Sequence, residues 1–155
     1  MDRSAPGHGR LEIVIADRLD EIGRVASALD EFAARFALPA DAVIDMQVAL
    51  DEVLANVVSY AYPEGQGGAH RIRIVLAAHP DALEAEVTDD GAPFDPAIAG
   101  APERDAPLEH RRIGGLGLHF VRNLMSEVKY QRIGSHNRLV LRRRLRGSDG
   151  GSLDQ

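Results

Sequence analysis

The chain has 155 residues, a formal net charge of −6 and no cysteine. Its length and an apolar share of 45% suit one domain with a real core. The acidic balance argues against a general nucleic-acid binder, which shows a basic face, and the lack of cysteine excludes a disulfide frame, a thiolate metal site and a cysteine nucleophile. Basic residues are almost all arginine, with Lys129 the single lysine, a bias of composition before it is a sign of function. No apolar stretch is long enough to span a bilayer, and Met1 to Gly9 lack the hydrophobic centre of a signal peptide. The expected location is the cytoplasm, with neither membrane nor direct nucleic-acid contact.

Residues 1–9 and 147–155 are small and polar and are expected to be disordered, leaving 10–146 as the domain. Arg10 to Ala16 alternates, with Leu11, Ile13 and Ile15 on one side, which predicts a strand. Asp17 is placed to cap the helix that follows, whose apolar stripe is Leu19, Ile22, Val25, Ala26, Leu29, Phe32 and Ala33. Leu38-Pro-Ala-Asp41 breaks it. A second helix is predicted over about Asp41 to Tyr62, with Val43, Ile44, Val48, Leu50, Val53, Leu54, Val57 and Val58 as its apolar positions, ended by Pro63-Glu-Gly-Gln-Gly-Gly. Arg71 to Ala78 and Ala82 to Thr88 read as a hairpin joined at His79-Pro-Asp81. Residues 97–112 show no apolar period, and so long a structureless stretch inside a domain points to a functional loop or lid. A helix from about Leu116 to Ser126 and strands over Val128 to Arg132 and Leu139 to Leu145, with a turn at Gly134-Ser-His-Asn137, complete the chain. This order is α+β, a mixed or largely antiparallel sheet with helices on one face.

Three stretches carry chemistry. Glu52 and Asn56 lie four apart on the second helix, hence on one face. A carboxylate beside an amide oxygen suits Mg²⁺, which takes oxygen ligands, and a carboxylate there can accept a hydroxyl proton. The bland alternative is a solvated helix face, the side to which Asp51 is assigned. Asp89-Asp-Gly-Ala-Pro-Phe-Asp-Pro96 follows a strand. A strand-end Asp89 can accept from an exocyclic amine, and Gly91 permits close approach of a base, although Asp, Gly and Pro also make plain turns. Gly114-Gly115-Leu116-Gly117 precedes an amphipathic helix, and unshielded amides at a helix start bind anions. Arg104, Arg111 and Arg112, just before it, are either phosphate contacts or solvated loop residues. The six histidines show no metal spacing, and both the P-loop and the protein-kinase glycine loop with its strand lysine are absent.

In this order, Ala49-Leu-Asp-Glu-Val-Leu-Ala-Asn56, Asp89 to Pro96, Ile113-Gly-Gly-Leu-Gly-Leu118 and Val121-Arg-Asn-Leu-Met-Ser-Glu-Val-Lys-Tyr130 resemble the ATP-binding domain shared by gyrase-like ATPases, the chaperone Hsp-ninety, histidine kinases and mismatch-repair ATPases. In detail the chain is most similar to the anti-sigma factor serine/threonine kinases of bacterial partner-switching systems. The resemblance implies a Bergerat-type two-layer α/β sandwich binding ATP and Mg²⁺. It implies Glu52 as catalytic carboxylate, Asn56 as magnesium ligand, Asp89 as reader of the adenine amine, and Gly91 as the point of close approach. Gly115 and Gly117 would let the lid backbone close on the phosphates. Arg112, Gly114 and Leu116 join that nucleotide-binding set, as does Pro93, which stands where the wider superfamily has a second glycine. The implied reaction moves the γ-phosphoryl of ATP to a serine or threonine of a STAS-domain antagonist. The implied partners are that antagonist, a sigma factor or other regulator, and a second copy of the chain. The first helix, with Arg24 as candidate anchor, would supply part of the partner surface. The chain lacks a dimerisation helix with a phospho-accepting histidine, which argues against a complete sensor histidine kinase. Competing readings are an ATP-holding partner switch without useful transfer, and a kinase acting on a client other than a sigma factor.

Overall fold

Alternation of apolar and charged residues sets the sheet. The computed structural model describes residues 9–60, 70–93 and 113–145, and for residues 60 and 113–118 only the backbone. The expected disordered tails over 1–8 and 147–155, the expected lid over 97–112, and Arg104, Arg111 and Arg112 lie outside the described residues.

Among the described residues, five strands, β1 (Gly9–Ala16), β2 (Arg71–His79), β3 (Ala82–Asp89), β4 (Glu127–Ile133) and β5 (His136–Arg144), form one sheet in the order β1-β2-β3-β5-β4. All four pairings are antiparallel, which narrows the expected mixed or largely antiparallel sheet. Ile15 lies opposite Ile72 and Ile13 opposite Ile74, and Ala85, Val87, Leu139 and Leu141 continue that face, all packed in or against the core. The other face carries ion pairs between strands: Arg73 with Glu12 at 2.5 Å, Arg142 with Glu84 at 2.6 Å, and Arg138 with Glu86. A sheet packed on one side and wet on the other needs this two-residue period.

Among the described residues, three helices cover the apolar face: α1 (Ile22–Arg35), α2 (Ala40–Tyr60) and α3 (Ile113–Leu124). The stripe of α1 buries Val25, Leu29, Phe32 and Ala33. Leu19 belongs to a short 3₁₀ turn, Leu19–Glu21, and is 61% exposed, so the expected stripe begins one turn too early. Asp17 does not cap this helix. It is buried and its carboxylate accepts the His70 backbone N–H at 3.3 Å, tying the end of β1 to the start of β2. Glu21 instead accepts the Ala16 N–H at 3.0 Å. Ala37, at φ 52°, ends α1 in the left-handed conformation, with the Leu38 N–H returning to the Ala33 carbonyl at 3.0 Å.

In α2 the inward positions are Ala42, Met46, Ala49, Leu50, Val53 and Leu54. Ile44 and Val48, expected among its apolar positions, are 61% and 44% exposed, because they project from the side away from the sheet. Gly9 belongs to β1 rather than to a loose end. A Cβ there would overlap the Phe36 ring as it is placed, so the ring packs over the strand at a residue without a side chain. The predicted helix at Leu116 starts three residues earlier, at Ile113, so Gly114, Gly115, Leu116 and Gly117 lie inside the first turns of α3 rather than before it. Glycine lowers helix propensity without forbidding the helix.

Candidate functional site

α2 supplies the first half of the site. The Asn56 side chain is 4% exposed, and its Nδ2 donates to the Glu52 backbone carbonyl at 2.7 Å and to Glu52 Oε2 at 3.2 Å. Both partners are acceptors only, so the amide nitrogen must face them and Oδ1 must face away. Asn56 Oδ1 is buried and has no hydrogen-bond partner among the described residues. Leaving such an oxygen unpaired costs about 1–3 kcal/mol. A hard cation removes that cost, and Mg²⁺ suits an oxygen donor of this kind. Among the described residues no group of three or more His, Asp or Glu is gathered to hold a metal. Asp51, one step around the helix, is exposed, as its position suggested.

Glu52 is half-buried and opens onto a shallow cleft lined also by Val48, Phe120 and Val121. That cleft joins α2 to α3, whose first turns hold Gly114, Gly115, Leu116 and Gly117. The first four N–H groups of a helix have no partner within it, and two of these residues here, Gly114 and Gly115, carry no Cβ. The fold thus brings this helix start onto the helix that packs against α2, and the unpaired N–H groups of a helix start suit an anion.

The end of β3 supplies the second half. Asp89 is 4% exposed. Its Oδ1 accepts the Gly91 N–H at 2.8 Å and Asn137 Nδ2 at 2.9 Å. Burial pushes the Asp89 carboxyl upward, and the Asn137 and Gly91 donors oppose the shift. Asp90 turns the other way, 3.2 Å from His70 Nδ1, with 44% of its side chain exposed. Gly91 is buried in the turn and Pro93, the last described residue of the segment, is exposed.

Three residues of this site escape a reading of the sequence. Asn137 falls in the expected turn Gly134 to Asn137, whereas the turn is only Gly134-Ser135, with Gly134 at φ 60°. Asn137 is therefore in β5, directly opposite Asp89. Tyr130 and Arg132 of β4 hold its amide, with Tyr130 Oη at 2.6 Å and Arg132 Nη1 at 3.2 Å from Asn137 Oδ1. The signal that could have found them is the register of β3 on β5, which no local pattern states.

One antiparallel sheet backed by three helices, with an acid–amide helix, an Asp-x-Gly turn at a strand end and a glycine-rich helix start, has the architecture of a two-layer nucleotide-binding domain. The family model of the histidine kinase-like ATPase domain matches residues 15–143, and the chain belongs to that family. It is similar to the serine-protein kinase RsbW of Bacillus cereus, with 29% identity over 124 residues, 77% of this chain and 76% of the relative. The RsbW of Bacillus mycoides is 28% identical over the same shares of the two chains. Among solved structures, the fold is similar to that of the RsbU and RsbW domains of Rv1364c from Mycobacterium tuberculosis, with a TM-score of 0.61 and 19% identity. That likeness covers 88% of this chain and 32% of the other, so the chain spans about a third of that protein's length.

Proposed function

We propose that the chain is an ATP-dependent protein serine/threonine kinase of a partner-switching system. Its substrate is a hydroxyl on a STAS-domain antagonist, and in its other state it sequesters a sigma factor or similar regulator, acting as a homodimer in the cytoplasm. The observation that carries the reading is the buried, unpartnered Asn56 Oδ1 held one helical turn from Glu52. A pure binding module has no use for a carboxylate fixed beside a cation-ready oxygen. The RsbW relatives, named as serine-protein kinases, support the same class of reaction.

Each residue then has a task. Asn56 Oδ1 would ligate Mg²⁺, which when bound neutralises phosphate charge. Asp89 would accept the exocyclic amine of adenine. The first-turn amides of α3 and Arg112 would bind the phosphates, and Pro93 would lie near the base. Glu52 would take the proton of the acceptor hydroxyl as its oxygen bonds to the γ-phosphoryl and ADP leaves. Such transfer depends on positioning and charge more than on covalent chemistry.

Two outcomes test the binding half. Asp89→Asn is expected to weaken ATP by roughly 1.5–3 kcal/mol, since an ionised acceptor is lost, whereas Asp90→Asn leaves the titration curve in place, its carboxylate being turned to His70. Equal curves would refute the assignment. For the partner surface, Arg24 is exposed on α1 and 2.9 Å from Glu21 Oε1. Arg24→Ala leaves Glu21 bonded to the Ala16 N–H, so the junction of β1 and α1 survives. It is expected to weaken a captured partner at least severalfold, since removing one side of a charged contact costs about 1.5–3 kcal/mol. An unchanged affinity for every partner removes α1 from the interface. The whole reading is tested by capturing partners from the host with the full chain and asking whether Mg²⁺-ATP transfers phosphate to them.

A further inference from the structure

We infer that Asn137 is a positioning residue for nucleotide recognition, its amide clamping Asp89 and the Gly91–Ala92 turn so that a single carboxylate oxygen faces the nucleobase. The inference rests on the nucleotide-site reading above and adds to it the device that sets Asp89.

Asn137 is 4% exposed and stands opposite Asp89 in the β3–β5 ladder. Its Nδ2 donates to Asp89 Oδ1 at 2.9 Å and to the Ala92 carbonyl at 2.8 Å, with the Gly91 carbonyl at 3.4 Å. The Gly91 N–H donates to the same Asp89 Oδ1 at 2.8 Å. Oδ1 thus holds two donors, and Oδ2 accepts from none among the described residues. The amide of Asn137 has only one orientation. Its oxygen takes the Tyr130 hydroxyl at 2.6 Å and Arg132 Nη1 at 3.2 Å, while its nitrogen faces three acceptors. Arg132 Nη1 also donates to the Gly91 carbonyl at 2.7 Å, so the turn is gripped from two sides by the β4–β5 hairpin.

The chemical consequence is a carboxylate with one oxygen filled and one direction left, which suits a single exocyclic amine and repels a carbonyl edge. The clamp also works against protonation of the group. Burial favours the protonated carboxyl, and the Asn137 and Gly91 bonds work against it. The charged groups acting on Asp89 are Arg132, which favours ionisation, and Asp90, which opposes it.

The experiment is ATP affinity by titration calorimetry across the neutral pH range for the wild-type chain, Asn137→Asp and Tyr130→Phe, with circular dichroism as the check of folding. Wild type binds with a flat profile that falls only toward acid, as Asp89 takes a proton. Asn137→Asp keeps the shape and loses the donors. At mildly alkaline pH it is expected to bind about tenfold or more weakly. Its affinity recovers as pH falls, because one proton shared between the two facing carboxyls restores a donor. That inverted slope is what a merely structural role would not produce. Tyr130→Phe removes an anchor of the amide without touching Asp89 and is expected to weaken ATP about threefold to tenfold with the wild-type slope. If Asn137→Asp does not fold, Tyr130→Phe decides. A folded Asn137→Asp with wild-type affinity, or one weakened without recovery at lower pH, overturns the clamp, as does an unchanged Tyr130→Phe. Absence of ATP binding by the wild-type chain is a different failure. It removes the nucleotide reading and the clamp with it.

Discussion

Glu52→Gln is expected to keep ATP affinity and partner capture and to lose phosphoryl transfer by about 10²–10⁴ in rate. The substitution is nearly isosteric, and the new amide oxygen can still accept from Asn56 Nδ2, now 3.2 Å from Glu52 Oε2. Asn56 therefore keeps its orientation, and its Oδ1 stays available to Mg²⁺. Only basicity is removed, and a base acts on the acceptor hydroxyl in the transition state rather than on bound nucleotide. The check is nucleotide affinity beside single-turnover transfer for the variant and the wild-type chain. A Glu52→Gln protein that transfers at the wild-type rate would leave the ATP-holding partner switch as the better reading.

Asn56→Ala separates differently. The oxygen that would meet the cation is gone, so Mg²⁺-dependent ATP binding is expected to fall about tenfold to a hundredfold, with transfer falling as a consequence. Stability without nucleotide should change little. The amide gives two bonds to Glu52, but its buried Oδ1 carries an unpaid desolvation cost that leaves with the side chain. The measurement is ATP affinity with and without Mg²⁺, set beside urea unfolding of the empty protein. Equal loss in both metal conditions would contradict a ligand role for Asn56.

The order of elements and the shared face of Ile13 and Ile15 in β1 were legible because period-two alternation survives from Leu11 to Ile15, although Leu11 itself is 36% exposed. The Glu52–Asn56 contact was legible for the same kind of reason. Both residues sit on one helix, where a spacing of four fixes which side chains meet. What needed coordinates was whatever depends on strands meeting across the sheet. Asp17 has the composition of a helix cap, yet its partner is His70, 53 positions away. Asn137 has the composition of a turn, yet it lies in β5 against Asp89, 48 positions away. Ile44 and Val48 look like core by composition, and only the side of α2 that meets the sheet decides otherwise. The glycine run at Gly114 lies inside α3 rather than before it, about one turn from its expected place, because α3 packs on α2 despite its low helix propensity.

The central claim is transfer from ATP to a protein hydroxyl, and the most direct measurement follows the γ-phosphate. The wild-type chain is incubated with Mg²⁺, γ-labelled ATP and a STAS-domain partner captured from the host. The expected result is label on a serine or threonine of that partner, with ADP formed in equal amount, and label appearing about 10²–10⁴ more slowly when Glu52→Gln replaces the wild-type chain. ATP bound tightly, the partner captured and the label left on ATP or released as inorganic phosphate would contradict it.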